Sequence, residues 1–175
     1  FNSGYKLDGS SMVITRYLGA TWLWDKVRVQ GGAYGAFCSF DSFSGVLTFS
    51  SYRDPNILKT LENFDLCAGF LKDLKLNDDE LTKAIIGTIG DLDTYQLPDA
   101  KGMTSMIRQM IGIDDDYRQK MRDQVLETTI NDFYDFAEIL SASVTSGLIT
   151  VLGDKSSIES ANMNKDNFLQ ELKIT

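Results

Sequence analysis

The chain has 175 residues, 43% of them hydrophobic and 11% aromatic, and a formal net charge of −8. That supplies apolar matter for one core and argues against disorder; with no Lys/Arg cluster, a nucleic-acid face is not expected. There is no histidine, which removes His-based triads, His-ligated zinc and imidazole proton shuttles from the chain's own chemistry.

The chain opens on "FNSGYKLDGSS" without an initiator Met, so a fragment or processed product is expected. No signal peptide or lipidation motif is apparent. Ser10 or Ser11 is placed to cap a first helix. Val13, Tyr17, Trp24 and Val27 form its rough stripe, and the pair Gly31-Gly32 ends it. Two β-rich runs, 34–40 and 46–52, flank the turn-rich "DSFSG" and predict a hairpin. In "RDPNIL", Asp54 suits an N-cap and Pro55 a first helical residue. Leu58, Leu61, Phe64, Cys67, Leu71 and Leu74 then mark a helix face.

Asn77 and Glu80 have capping-box spacing ahead of a periodic run, Leu81, Ala84, Ile85, Thr88, Ile89 and Leu92. Pro98 ends that helix. Met103, Met106, Ile107, Met110 and Ile111 predict a shorter one, its methionines serving as core filler. From Asp115 the chain is helical again, in two pieces, with a stripe at Ile130, Phe133, Ala137, Leu140 and Val144. Gly147 stops it. "LITVLG" is expected as a strand, 156–163 as a short helix and "FLQELKI" as a last strand. The order points to an α+β fold, helices layered on one face of an antiparallel sheet. No run of 18 apolar residues occurs, so no membrane-spanning helix is expected.

Most chemical motifs fail on inspection. "QGGAYG" fits neither the G-x-x-x-x-G-K-[ST] phosphate loop nor a dinucleotide turn. Cys38 and Cys67 are two isolated thiols, expected to be buried and free rather than paired or zinc-bound. The runs "NDDE" (77–80) and "DDDY" (114–117) suit helix starts and lack the alternating ligands and glycine of a calcium loop; no metal ligand is assigned. "GDLDTYQLPDAKG" (90–102) is a helix–helix connection. What remains is Arg28 at a helix end and Tyr34 at a strand start, around Gly31-Gly32. Helix capping and strand propensity would explain both. The alternative is that the turn brings a guanidinium and a phenol together, where both donate to a peptide carbonyl or an oxyanion. Neither group is a general base, so a base and an electrophile would come from elsewhere.

Four stretches, "WLWDKVRVQGGAYGAF", "SYRDPNILKTLENFD", "LTKAIIGTIGDLDTYQLPDAKG" and "DFYDFAEIL", resemble the C-terminal part of presequence proteases, organellar members of the pitrilysin/insulinase class of zinc metallopeptidases. The likeness runs from about Gly9 to "FLQELKI". It implies a large clamshell of four similar α+β domains, of which residues 1–175 would be the fourth, without its first strand. An H-x-x-E-H motif and a further glutamate on the N-terminal half would hold zinc; this chain would bind none. Arg28 and Tyr34 match the residues that reach across the chamber to the zinc site, there to hold the substrate backbone and stabilise the oxyanion while zinc and a glutamate activate water. Gly31 and Gly32 would let the substrate backbone approach closely. The implied partners are unstructured peptides, such as cleaved targeting presequences, and the N-terminal half of the same protease. No nucleic acid and no membrane are expected. The implied location is the mitochondrial matrix or plastid stroma, and the isolated chain would be inactive. Phe43 stands where relatives carry a histidine, in the hairpin turn, with little effect expected. The alternative reading is a noncatalytic packing or peptide-binding module of a related clamshell or processing complex. A third, an independent enzyme, lacks a complete catalytic set.

Overall fold

The computed structural model describes residues 8–41, 44–165 and 168–172. The chain is α+β, mostly helical, with a two-stranded antiparallel sheet. Helix α1 (Ser10–Ala20) runs into a π-helix (Trp24–Val29), followed by strands β1 (Gly35–Asp41) and β2 (Val46–Tyr52). Six short to medium helices come next: α2 (Leu58–Asp65), α3 (Cys67–Lys72), α4 (Asp78–Leu92), α5 (Pro98–Met110), α6 (Asp115–Leu126) and α7 (Ile130–Ser143). After a 3₁₀ turn at Val144–Ser146, α8 (Lys155–Asn164) is the last regular element described.

Helix α1 is the centre of the packing. It touches β1, α4, α6, α7 and the π-helix. Val13, Ile14 and Leu18 are fully buried, at about 1.5–3 kcal/mol for each large aliphatic side chain removed from water. Helices α3 and α7 complete the core through Cys67, Leu71, Phe133, Phe136, Ala137 and Leu140. Tyr17 packs edge-on against Phe133 and stacks on Phe70, which also stacks on Trp22. The inner face of the hairpin, Ala36, Cys38, Leu47 and Phe49, lies against this core, while Phe37, Val46 and Tyr52 face outward. Residue pairs run from Gly35 opposite Tyr52 to Asp41 opposite Val46.

Several start signals act where expected. Asn77 accepts from the Glu80 N–H at 2.9 Å, and Glu80 accepts from the Asn77 N–H at 3.2 Å, a complete capping box. Asp114 accepts from the Tyr117 N–H at 2.8 Å, so both carboxylate runs are helix starts. Pro98 is the first residue of α5, and 93–97 connect it to α4. Arg122 grips Asp93 through two hydrogen bonds of 2.6 and 2.8 Å, tying α6 to the end of α4 and holding the Asp93 carboxyl below its ordinary range.

Other expectations need correction. Ser10 and Ser11 are the first helical residues, not caps. The N-cap is Gly9, and Asp8 before it accepts the Ser10 N–H at 3.0 Å. The first helix does not run unbroken to Gly31. It stops at Thr21, and the restart places Leu23 and Val27 in the core at four-residue spacing while Trp24 is exposed. Asp54 does not cap a helix. Its carboxylate is used locally, accepting from the Asn56 N–H at 2.9 Å and the Thr60 hydroxyl at 2.6 Å, and α2 begins only at Leu58. The face from Leu58 to Leu74 is split between α2 and α3 at exposed Leu66. The methionines of α5 are not core filler: Met103, Met106 and Met110 are exposed and no residue of α5 is buried.

The two later strands are not formed among the described residues. "LITVLG" is irregular, with Leu148 and Leu152 almost fully exposed. Among the described residues β1 and β2 pair with each other, and the run at 148–153 joins neither strand, so it forms no ladder. Residues 168–172 form no strand either; the Leu169 backbone is instead held by the Asn162 side chain through bonds of 3.0 and 3.1 Å. Residue 43, and with it the Phe43 expectation, lies outside the described residues.

Two predictions follow from this packing. A Cβ on Gly9 would lie 2.3 Å from the Met121 carbonyl oxygen and 2.6 Å from the Val125 nitrogen. Gly9→Ala therefore forces α1 and α6 apart, at about 1–3 kcal/mol, measurable as a lower urea midpoint with unchanged slope. Both thiols are free, Cys67 fully buried and Cys38 on the inner face of β1. Burial pushes Cys38 up to about 12 and raises Cys67 as well. The folded state keeps these protons when the unfolded chain releases them. Their stabilisation is thus complete below about pH 9 and falls as pH rises toward 12. The alkaline loss of stability should be shallower in a Cys38→Ala, Cys67→Ala double variant, as read from urea midpoints between about pH 8 and 11.

Candidate functional site

The π-helix is a consequence of how the α1 extension ends. Gln30 donates to the Asp25 carbonyl at 2.9 Å, five residues back, and Ala33 donates to the Val27 carbonyl at 3.1 Å. The closure depends on Gly31, whose added Cβ would lie 2.5 Å from the Val27 carbonyl oxygen and 3.1 Å from that of Lys26. Gly32 then turns the chain with φ +82°, a left-handed conformation that glycine adopts without strain. π-Helical turns of this kind are rare and concentrate at functional sites.

These backbone events fix two side chains. The Arg28 guanidinium lies 3.9 Å above the Trp24 ring centroid, a cation–π contact that covers one face and leaves the edge N–H groups free to donate. Tyr34 is pinned by its own N–H, which donates to the Tyr52 carbonyl at 3.0 Å and the Arg53 carbonyl at 3.4 Å. Its ring stands edge-on to Tyr52 at 6.1 Å and is 67% exposed. The turn is held from the other side by Asn56, whose amide donates to the Gly31 carbonyl at 2.6 Å.

Arg28 and Tyr34 line a single open cavity of about 640 Å³. Trp24, Val29, Gly32, Ala33 and Arg53 complete its wall. Gly31 is not in the wall; it supports the turn from behind. Three residues of the site were not singled out from the sequence. Trp24 carried a signal, since it precedes Arg28 by four residues, the spacing of neighbours on one helix face. Arg53 and Asn56 carried none until the strand register was known. One step beyond the Gly35–Tyr52 pair, position 53 falls beside position 34.

Chemically the wall is a set of hydrogen-bond donors and aromatic faces. Among the described residues, neither Arg28 nor Arg53 is ion-paired. Among the described residues no carboxylate lines the cavity, and those that do line it include no general base. Among the described residues no three Cys, Asp or Glu side chains converge as a metal site, and no step is assigned to a metal held here. No helix among them is long and apolar enough to cross a membrane.

The family model described as PreP C-terminal domain matches residues 1–154. The chain belongs to the PreP C-terminal domain family. Presequence protease 1, chloroplastic/mitochondrial, from Arabidopsis thaliana is 49% identical over 99% of this chain. The mitochondrial presequence protease of Saccharomyces cerevisiae is 34% identical over 83% of it, and Protein HypA of Clostridium perfringens 34% identical over 94%. The PreP C-terminal domain described here spans 15–16% of the length of these relatives. The resemblance drawn from the sequence to presequence proteases is therefore correct, and the names of the plant and yeast relatives agree with a mitochondrial or plastid location.

The two glycines of the turn do different work and should respond differently. Gly31→Ala meets backbone at 2.5 Å, whereas the nearest atom to a Cβ on Gly32 is the Pro55 side chain at 3.6 Å. Gly32→Ala thus suffers only the left-handed strain, about 1–2 kcal/mol. Gly31→Ala should be the more destabilising by about 1 kcal/mol or more in chemical denaturation, and should also shift the tryptophan emission maximum, because Arg28 stacks on Trp24.

Proposed function

We propose that this domain supplies electrophilic assistance to a metalloendopeptidase that degrades short unstructured peptides, cleaved targeting presequences among them. Arg28 and Tyr34 are the catalytic pair in this reading. The observation that carries it is their shared place on one open cavity, with donor groups free of acidic partners, in a member of a family whose relatives are named proteases. Arg28 would hold a peptide carbonyl, and the Tyr34 hydroxyl would donate to the oxygen that gains charge as water adds. Such donors act because they are in position before the charge appears. The stack on Trp24 and the backbone bonds of Tyr34 support that requirement. Gly32, on the wall and without a side chain, would let the substrate backbone lie close.

The cavity offers no group to activate water. In this reading that work, and the zinc expected for the family, belong to the N-terminal half of a longer polypeptide, and residues 1–175 act as its fourth domain. The zinc would polarise the scissile carbonyl and supply the nucleophile. The isolated chain would be inactive.

The test uses the full-length polypeptide that carries this domain. Arg28→Ala and Tyr34→Phe should each lower kcat on an unstructured peptide by about 10²–10³, the usual loss for one oxyanion donor. Zinc content and melting temperature should be unchanged. Normal turnover in both variants would remove the assigned roles and favour a domain that packs or binds peptide without catalysing.

A further inference from the structure

The cavity wall holds one cation more than a neutral peptide carbonyl requires. Arg16, Arg118 and Arg122 each have a carboxylate within 2.6–2.8 Å. Arg28 and Arg53, on the same wall, have none among the described residues; Arg108 on α5 also has none, but it stands apart from the cavity. The sequence has 25 Asp and Glu against 17 Lys and Arg, so carboxylates are not scarce, yet among the described residues none lines this wall.

Arg53 is also held in an unusual way. Its φ is +49°, the only left-handed non-glycine residue among those described. Side-chain-bearing residues seldom adopt this conformation, and where they do the surroundings hold them there, often at binding sites. It follows the last residue of β2. Its guanidinium lies 5.3 Å from the Tyr52 ring and 5.9 Å from the Tyr34 ring. Arg28 is likewise stacked on Trp24 at 3.9 Å. Both guanidinium groups therefore lie against aromatic faces, with edge N–H groups left to serve a ligand. Both guanidinium groups line the one open cavity, and a planar guanidinium fork matches a carboxylate.

Resting on the peptidase reading above, we propose that Arg53 is a specificity-determining residue. Beside the Arg28 that holds the peptide carbonyl, it forms a carboxylate-binding subsite, and the cavity favours peptides that present a carboxylate there. That group is either an Asp or Glu side chain or the peptide's own C-terminus; the recognition chemistry is the same.

The experiment compares four matched peptides with the full-length polypeptide: one interior Glu or Gln, each with a free C-terminal acid or an amide. Both kcat/KM and direct binding, by fluorescence anisotropy, are measured. The expected result is a preference of roughly fivefold for a carboxylate-bearing peptide, weaker at high salt. Sensitivity to Glu against Gln assigns the side chain; sensitivity to acid against amide assigns the C-terminus. Arg53→Gly and Arg53→Asn, which both tolerate the left-handed backbone, should abolish the preference, and Arg53→Lys should restore part of it. Equal values for all four peptides in the parent protein would overturn the proposal, as would a preference that survives in Arg53→Gly and Arg53→Asn. A parent protein that prefers carboxylates in binding but cleaves none of the peptides would sink the peptidase reading and leave the subsite standing.

Discussion

Ile14 and Leu18 lose all contact with solvent because α1 is enclosed by β1 and by α4, α6 and α7. The remaining structure is arranged around that burial. One wall of the enclosure needs a backbone approach that only Gly9 permits, against the Met121 carbonyl. Another is the inner face of β1 and β2, where Cys38 and Phe49 sit opposite each other. The helix that carries Arg28 is the direct continuation of α1. Its Leu23 and Val27 are buried in the same core, so apolar packing at the residues leading into Arg28 fixes the site's position.

The site itself is electrostatically simple. An acidic chain leaves two guanidinium groups without acidic partners on a wall built from aromatic rings. The rings provide weak, non-competing support: they hold the cations by a face and do not consume the donors that a carboxylate partner would occupy. The price of such exposure is solvent screening. A donor set of this kind becomes strong only where water is excluded, which an open cavity does not do by itself.

Legibility in the sequence followed the range of the interactions. The capping box at Asn77–Glu80, Pro98 at the start of α5 and the hairpin were readable because each is decided within a few residues. The stripe of α7 was readable because 3.6-residue periodicity puts Phe133, Ala137 and Leu140 on one face. Arg28 and Tyr34 were recognised from the residues around them, and the cavity does bring them onto one wall. Asp54 was misjudged because its carboxylate serves Asn56 and Thr60 in place of a helix end, a choice between near-equal local partners. The methionines of α5 satisfied every rule for a buried face and are exposed, since periodicity says that a face is apolar and not that anything covers it.

The sequence by itself determined the α+β class, the family and most element types, because those depend on local pattern and on long consecutive motifs. Tertiary structure alone decided the rest. Whether "LITVLG" becomes a strand depends on whether the tertiary fold lays it along a sheet edge, and among the described residues it joins neither β1 nor β2. Arg53 enters the cavity only because the hairpin register sets it beside Tyr34, fifty-odd atoms of backbone away along the chain yet adjacent across the strands. The π-helical turn exists because Gly31 lets the chain close onto the Val27 carbonyl while Leu23 and Val27 stay in the core. That competition between backbone closure and side-chain burial is settled in three dimensions, and no one-dimensional pattern records it.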